Sequence, residues 1–328
     1  MNKFFKKFFC LFLVLLTIVP FSPQEVKAYD APGLNAYYIS VGKADCILLQ
    51  QGALYSLVDT GDEAYLGEVL NFLRRKGVTT LEYLIITHLD PDHCGNVQTL
   101  CEEFTVKNLV YRSLPTTGYN NLNAGYQARY DSITSAAALN KITSCYDGQS
   151  LTFNGATIKF FNNPVSYLAN SSYDSVALTT RVNLDSLIFQ AIYQNTKFMF
   201  LADSGTASND YVSNKYAESV LKSDVLKVAH HGMSANNTAT LISKIDAKIA
   251  INSSSSAFAI EPLTVTRLTT AYSSVKIYET FKVSSYVATA SQGLPYTGIL
   301  VMSDGTNVTS YGVYDSGTSS CNKTAFVK

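Results

Sequence analysis

Four side chains that bind metal ions fall within six residues: His88, Asp90, Asp92 and His93, inside the run LEYLIITHLDPDHCG over 81–95. Imidazole nitrogen and carboxylate oxygen are ligands of zinc, and they also serve manganese and iron. A single tetrahedral ion seldom takes four ligands from one tight loop, so the cluster points to two ions sharing a site. Leu89 and Pro91 separate the first three ligands, and in an extended turn alternation aims His88, Asp90 and Asp92 the same way. Pro91 keeps Asp90 out of helical geometry. A helix beginning near Asp92 puts a carboxylate at its favoured end, with His93 in the first turn. The plainer reading is a polar loop with two ordinary histidines. It sits poorly with a chain that has only four histidines among 328 residues.

The flanking pattern supplies the elements that must position this loop. The apolar, β-branched run at 84–86 reads as a buried strand ending at Thr87. The same order recurs twice: a strand over 197–201 precedes Asp203 in FLADSG, and a strand over 224–229 runs into His230-His231-Gly232. Strands at 35–40, 45–50 and 54–59 open the chain as a meander that stops at Asp59-Thr60-Gly61. A helix over 66–75 places Leu66, Val69, Leu70 and Leu73 on one face, closed by Gly77. Further along come a strand at 106–111, a loop at 114–125, a helix over 126–142 and a hairpin at 151–164 turning on Asn154-Gly155. Strands follow at 186–193, 249–252, 275–280 and 298–303, with helices over 209–222, 238–245 and 261–272. Residues 29–328 are expected to form a single domain with a core from about 33 to 312 and a short irregular tail.

The first residues resemble a secretory signal peptide over 1–28. Lys3, Lys6 and Lys7 precede an apolar run at 8–19, and Val26-Lys27-Ala28 offers a small-residue cleavage site. The expected location is therefore secreted, with cell-surface association as the variant, and without a transmembrane span beyond the leader. Removing 1–28 takes away Lys3, Lys6, Lys7, Lys27 and Glu25, which leaves 21 basic against 24 acidic groups, a net charge of −3. That balance is a poor footprint for gripping a nucleic-acid backbone. Cys46, Cys94, Cys101, Cys145 and Cys321 remain, an odd number, so one or two disulfides are open with at least one thiol left over. No serine-hydrolase elbow, phosphate-binding P-loop or dinucleotide fingerprint competes with the metal reading.

HLDPDH resembles the H-x-[HDE]-x-D-H signature of the metallo-β-lactamase superfamily. With YISVGKADCILLQ, LVDTG, FLADSG and LKVAHHG, it looks like the branch that holds the ComEC-type competence hydrolase domain and the phosphorylcholine esterases. The resemblance implies an α/β fold, the four-layer αββα sandwich. It implies two divalent metal ions, with zinc expected and manganese or iron also suited. One set is His88, Asp90 and Asp203 with water or His230; the other is Asp92, His93, Asp203 and His231. Asp203 bridges the two ions, and Asp59 braces the loop from behind. Asp92 would orient the attacking water and His230 would protonate the leaving group. Many relatives carry a further ligand histidine between the first loop and the bridging aspartate; here no histidine lies between His93 and His230, and Asn183 and Ser186 are the local candidates. A His-Pro block after HHG is replaced by Ala259-Ile260-Glu261-Pro262.

The activity implied is a metal-dependent phosphodiesterase or phosphoesterase acting on a small-molecule or cell-surface phosphoester. Three other readings stand beside it: an extracellular DNA nuclease, a hydrolase of a carboxyl substrate such as a β-lactam or lactone, and a non-catalytic metal-binding protein.

Overall fold

Alternation along the first strand decides the layering. In β1 (Leu34–Ile39), Leu34, Ala36 and Tyr38 join one buried cluster, while Tyr37 and Ile39 join another on the opposite face. A strand buried on both sides needs a layer above and a layer below. The computed structural model describes residues 33–286, 296–315 and 321–325, and shows those layers; the expected leader at 1–28 lies outside them.

In chain order, β1 is followed by β2 (Ile47–Gln51), β3 (Leu54–Val58), α1 (Leu66–Arg75) and β4 (Thr80–Ile85). Next come α2 (Pro91–Cys94), α3 (Val97–Glu103), β5 (Thr105–Val110), α4 (Thr116–Asn120), α5 (Ala124–Ser135) and β6 (Ala138–Ile142). The second series is β7 (Ser150–Phe153), β8 (Ala156–Phe160), α6 (Leu178–Leu184), β9 (Phe189–Tyr193), β10 (Thr196–Phe200), α7 (Thr206–Lys215) and α8 (Glu218–Leu221). It continues with β11 (Val225–Lys227), α9 (Ala239–Ile245), β12 (Ile249–Asn252), α10 (Pro262–Ala271), β13 (Lys276–Glu279) and α11 (Val283–Tyr286). The chain then returns through β14 (Tyr296–Ser303), β15 (Val308–Asp315) and β16 (Cys321–Ala325).

Two sheets result, in the orders β16-β15-β14-β1-β2-β3-β4-β5-β6 and β13-β12-β11-β10-β9-β8-β7. Between them lies a core that includes Tyr38, Ile47, Leu49, Phe189, Phe198 and Ile251. The outer face of the first sheet buries Leu48, Leu57 and Leu84 against Val69 and Leu73 of α1 and Leu100 of α3. The outer face of the second buries Met199, Leu226 and Ala250 against Val212 of α7, Leu241 of α9 and Leu268 of α10. The architecture is the expected four-layer αββα sandwich.

Several local expectations need correction. The helix expected through 142 ends at Ser135, and Ala138–Ile142 instead pairs in parallel with β5 as an edge strand. The loop at 114–125 contains α4, and the helix at 209–222 is broken between α7 and α8. The described residues beyond 312 are not irregular, because β15 pairs with both β14 and β16. Cys46, Cys94, Cys101 and Cys145 are buried free thiols rather than disulfide partners, while the Cys321 side chain lies outside the described residues. Burial, against the opposing pull of the Arg112 guanidinium, pushes the Cys145 thiol up to about 12, away from reactivity. No described helix is long and apolar enough to cross a membrane.

Candidate metal centre

Each candidate ligand sits just past the end of a strand. β4 stops at Ile85 before Thr87-His88, β10 at Phe200 before Asp203, and β11 at Lys227 before His230-His231. β3 and β4 are parallel, as are β10, β11 and β12, so these ends collect along one rim of the sandwich. Leu187 N donates to Thr87 O at 2.9 Å and ties the rims together. Asp90 stands at the N-cap of α2 with Pro91 as its first residue.

The backbone is bent hard here. Asp59, Ala202, His230 and His231 all hold left-handed φ values, of 57°, 47°, 45° and 50°. Such values are uncommon outside glycine and persist where the surroundings over-determine them. The surroundings do so. Asn237 Oδ1 accepts from Ala229 N at 3.0 Å and its Nδ2 donates to Ala229 O at 2.9 Å. Asn236 Nδ2 donates to Ser204 O at 3.1 Å. Gly232 has φ +86°, and a Cβ there would meet Ile260 Cα at 2.8 Å, so only glycine fits after the two histidines.

Three of the four imidazoles are aimed by their Nδ1 atoms. His231 Nδ1 donates to Ser253 O at 2.9 Å, and His93 Nδ1 donates to Asp59 Oδ2 at 2.7 Å. Thr87 Oγ1 gives its proton to Asp59 Oδ2 at 2.7 Å, so at 3.0 Å it accepts from His88 Nδ1. Asp59 Oδ1 also accepts from Thr87 N at 2.8 Å. Each ring therefore presents an Nε2 lone pair inward, in the arrangement that orients metal-bound histidine.

Those lone pairs converge on Asp203. His93 Nε2 is 3.3 Å from Asp203 Oδ1, and His88, His230 and His231 Nε2 lie 3.9, 3.5 and 3.7 Å from Oδ2. His88 Nε2 is 3.6 Å from Asp90 Oδ2, and His231 Nε2 is 3.3 Å from Asp92 Oδ2. The structure thus brings together His88, Asp90, Asp92, His93, Asp203, His230 and His231.

These residues fit divalent ions on two grounds. The Nε2 atoms of His88, His93 and His231 and both oxygens of Asp203 are buried with no hydrogen-bond partner. Leaving that many buried polar atoms unmet would be costly in a folded protein. Ligand atoms about 2.1 Å from a tetrahedral ion lie about 3.4 Å from one another, close to the separations above. The field agrees. Burial opposes charge on His93, yet the Asp203 and Asp59 carboxylates push its pKa well above the imidazole range, which marks a place that favours a cation.

Four supporting residues were not among the sequence candidates. Tyr126 Oη donates to Asp90 Oδ1 at 2.8 Å. Lys43 Nζ is 3.1 Å from Asp92 Oδ2. Asp45 Oδ2 is 3.9 Å from His93 Nδ1 and 2.9 Å from Lys227 Nζ. A lysine inside the apolar run DVLKVA was a legible signal for a buried acidic partner; Tyr126 carried none. Glu261, in place of the His-Pro block, accepts from Ser234 N at 2.8 Å and so braces the turn after Gly232.

A cleft of about 430 Å³ opens beside the centre. Of the candidate ligands, His230 alone lines it, with Tyr173, Asn183 and Met233 among the other walls.

Residues 39–150 match the model of the metallo-beta-lactamase superfamily. Recombination protein 2 of Haemophilus influenzae is 24% identical over 252 residues, which cover 75% of this chain and 27% of that protein. The chain thus spans about a quarter of the length of that curated relative. The metallo-beta-lactamase fold protein YhfI from Bacillus subtilis superposes with a TM-score of 0.50 at 14% identity, over 83% of this chain and 100% of that one. The family match thus covers residues 39–150, and the likeness to YhfI shows a shared metallo-beta-lactamase fold over the wider chain.

Proposed function

We propose that the protein is a metal-dependent hydrolase of phosphodiesters or phosphomonoesters, with His88, Asp90 and Asp203 holding one divalent ion and Asp92, His93, Asp203 and His231 the other. The observation that carries the reading is the set of partnerless Nε2 and carboxylate atoms converging on Asp203. Zinc suits this donor set, and manganese or iron would also be accepted. When bound, two such ions supply a water-derived nucleophile near neutral pH and neutralise charge growing on the substrate oxygens.

The chain's own groups do the rest. Asp92, fixed by Lys43 and His231, accepts a hydrogen bond from the attacking water and sets its direction. His230 lines the cleft, and its Nδ1 is buried without a hydrogen-bond partner. Burial holds its pKa below the ordinary imidazole value against the pull of Asp203, so the ring enters neutral. It therefore takes a proton before it can pass one to the leaving oxygen. Asp59 keeps His93 and, through Thr87, His88 in place. The apolar run at 8–19 behind Lys3, Lys6 and Lys7 supports an extracellular setting.

The test is a substrate panel with the metal-loaded protein: p-nitrophenyl mono- and diesters, single-stranded DNA and nitrocefin. DNA belongs in it because the curated relative is named a recombination protein. Turnover of a phosphoester, lost in His93→Ala, is expected. Hydrolysis of nitrocefin alone would reassign the substrate to the carboxyl class, and metal binding without any turnover would remove the enzyme reading.

A further inference from the structure

The cleft beside His230 has a polar end that the metal centre does not use. Gly205, Thr206 and Ala207 line it, and they are the N-cap and first residues of the ten-residue helix α7. The first N–H groups of a helix have no acceptor within it, and they carry the positive end of its dipole. Among the described residues no side chain caps them. Gly205 supplies no capping side chain, and the first turn holds no acidic residue. The Thr206 hydroxyl is already spent, donating to Ala235 O at 2.9 Å.

A second, independent feature points into the same space. Asn183, on α6, is only 7% exposed, lines the cleft, and its Oδ1 has no hydrogen-bond partner. A buried carboxamide oxygen without a partner is a group awaiting one; rotated about its last bond the amide offers an N–H₂ as readily as an oxygen. The absent side chain at Gly205 allows α6 this close: a Cβ there would come 2.8 Å from Leu184 Cδ2. The cleft lining contains no carboxylate.

We propose that this end of the cleft is a subsite for a second phosphoryl group carried by the substrate, held by the first-turn amides of α7 and the Asn183 carboxamide. A phosphate brings the charge the helix end lacks and enough acceptor oxygens for several N–H donors. The subsite rests on the hydrolase reading in one respect, that its ligand is part of the substrate.

Two diesters test it: methyl p-nitrophenyl phosphate, and its counterpart with 2-phosphoethyl in place of methyl. The metal-loaded protein is expected to show a KM about tenfold lower for the second. Ala207→Asp puts a fixed negative charge in the first turn of α7, which the helix itself tolerates well, and the ratio of the two KM values, not either value alone, is the readout. The tenfold advantage should vanish. Asn183→Ala should reduce it about threefold. Equal KM values in the unaltered protein, or an advantage that survives Ala207→Asp, would overturn the subsite. If neither diester is turned over, the hydrolase reading falls on its own. Calorimetric titration of the phosphoethyl diester then decides the subsite: binding about tenfold weaker to Ala207→Asp supports it, and equal binding overturns it.

Discussion

Lys227 Nζ lies 2.9 Å from Asp45 Oδ2, and the two side chains are 1% and 2% exposed. The pair joins the sheets beneath the candidate metal centre, since Asp45 leads into β2 of one and Lys227 ends β11 of the other. Lys227 Nζ also donates to Val228 O at 3.1 Å. Breaking a buried pair by removing one partner strands the other charge. Lys227→Met should therefore cost about 3–5 kcal/mol of stability, and pairing it with Asp45→Asn should recover most of that loss. Urea unfolding of both variants measures it. A single variant as stable as the unaltered protein would show that the pair does not hold the sheets.

The same pair sets an acid limit. Burial alone would raise the Asp45 pKa, but the Lys227 ammonium, then His93 and His231, more than offset it and leave the carboxyl below its ordinary value. A folded pKa below the unfolded one means that the contribution is complete above about pH 4 and is lost as pH falls through the folded value. A series of Tm values against pH should fall more steeply on the acid side for the unaltered protein than for the Asp45→Asn, Lys227→Met double variant. Parallel acid limbs would assign the loss to other groups.

Asp59 accepts three hydrogen bonds, from Thr87 N, Thr87 Oγ1 and His93 Nδ1. Asp59→Asn keeps the shape and removes the carboxylate that orients two rings. Metal affinity should drop about 10–100-fold without loss of fold. Competition with a chromophoric chelator reads this directly, and unchanged affinity would confine Asp59 to the turn that it caps.

Tyr126 touches only the Asp90 side of the centre, through its 2.8 Å hydrogen bond to Oδ1. Tyr126→Phe should loosen one ion and spare the other. Stepwise chelation should then release the first equivalent about tenfold more easily while the second is unmoved. Both equivalents shifting together would mean that Asp90 serves the whole cluster.

The layering and the ligand loops were legible because both follow from local patterns. Strands buried on two faces appear as apolar runs, and each run stops at the residue where chemistry begins, at Thr87, Asp203 and His230. What failed was what depends on partners distant in sequence. Ala136, Ala137, Ala138 and Leu139 read as the continuation of a helix, yet the free edge of β5 recruits Ala138–Ile142 as β6. The helix α6, LTTRVNL, was missed because its threonines and valine have weak helix propensity, and packing of Val182 and Leu184 decides it instead. The tyrosine at 126 looks like any core aromatic until the fold brings its hydroxyl to Asp90.

Elemental analysis of the purified protein by mass spectrometry, beside Asp203→Ala, bears most directly on the shared centre. About two divalent ions per chain are expected, with the bridging variant retaining well under one. Metal-free protein after purification and reloading, or an Asp203→Ala variant that binds as many ions as the original, would mean that the convergence on Asp203 is not a metal site.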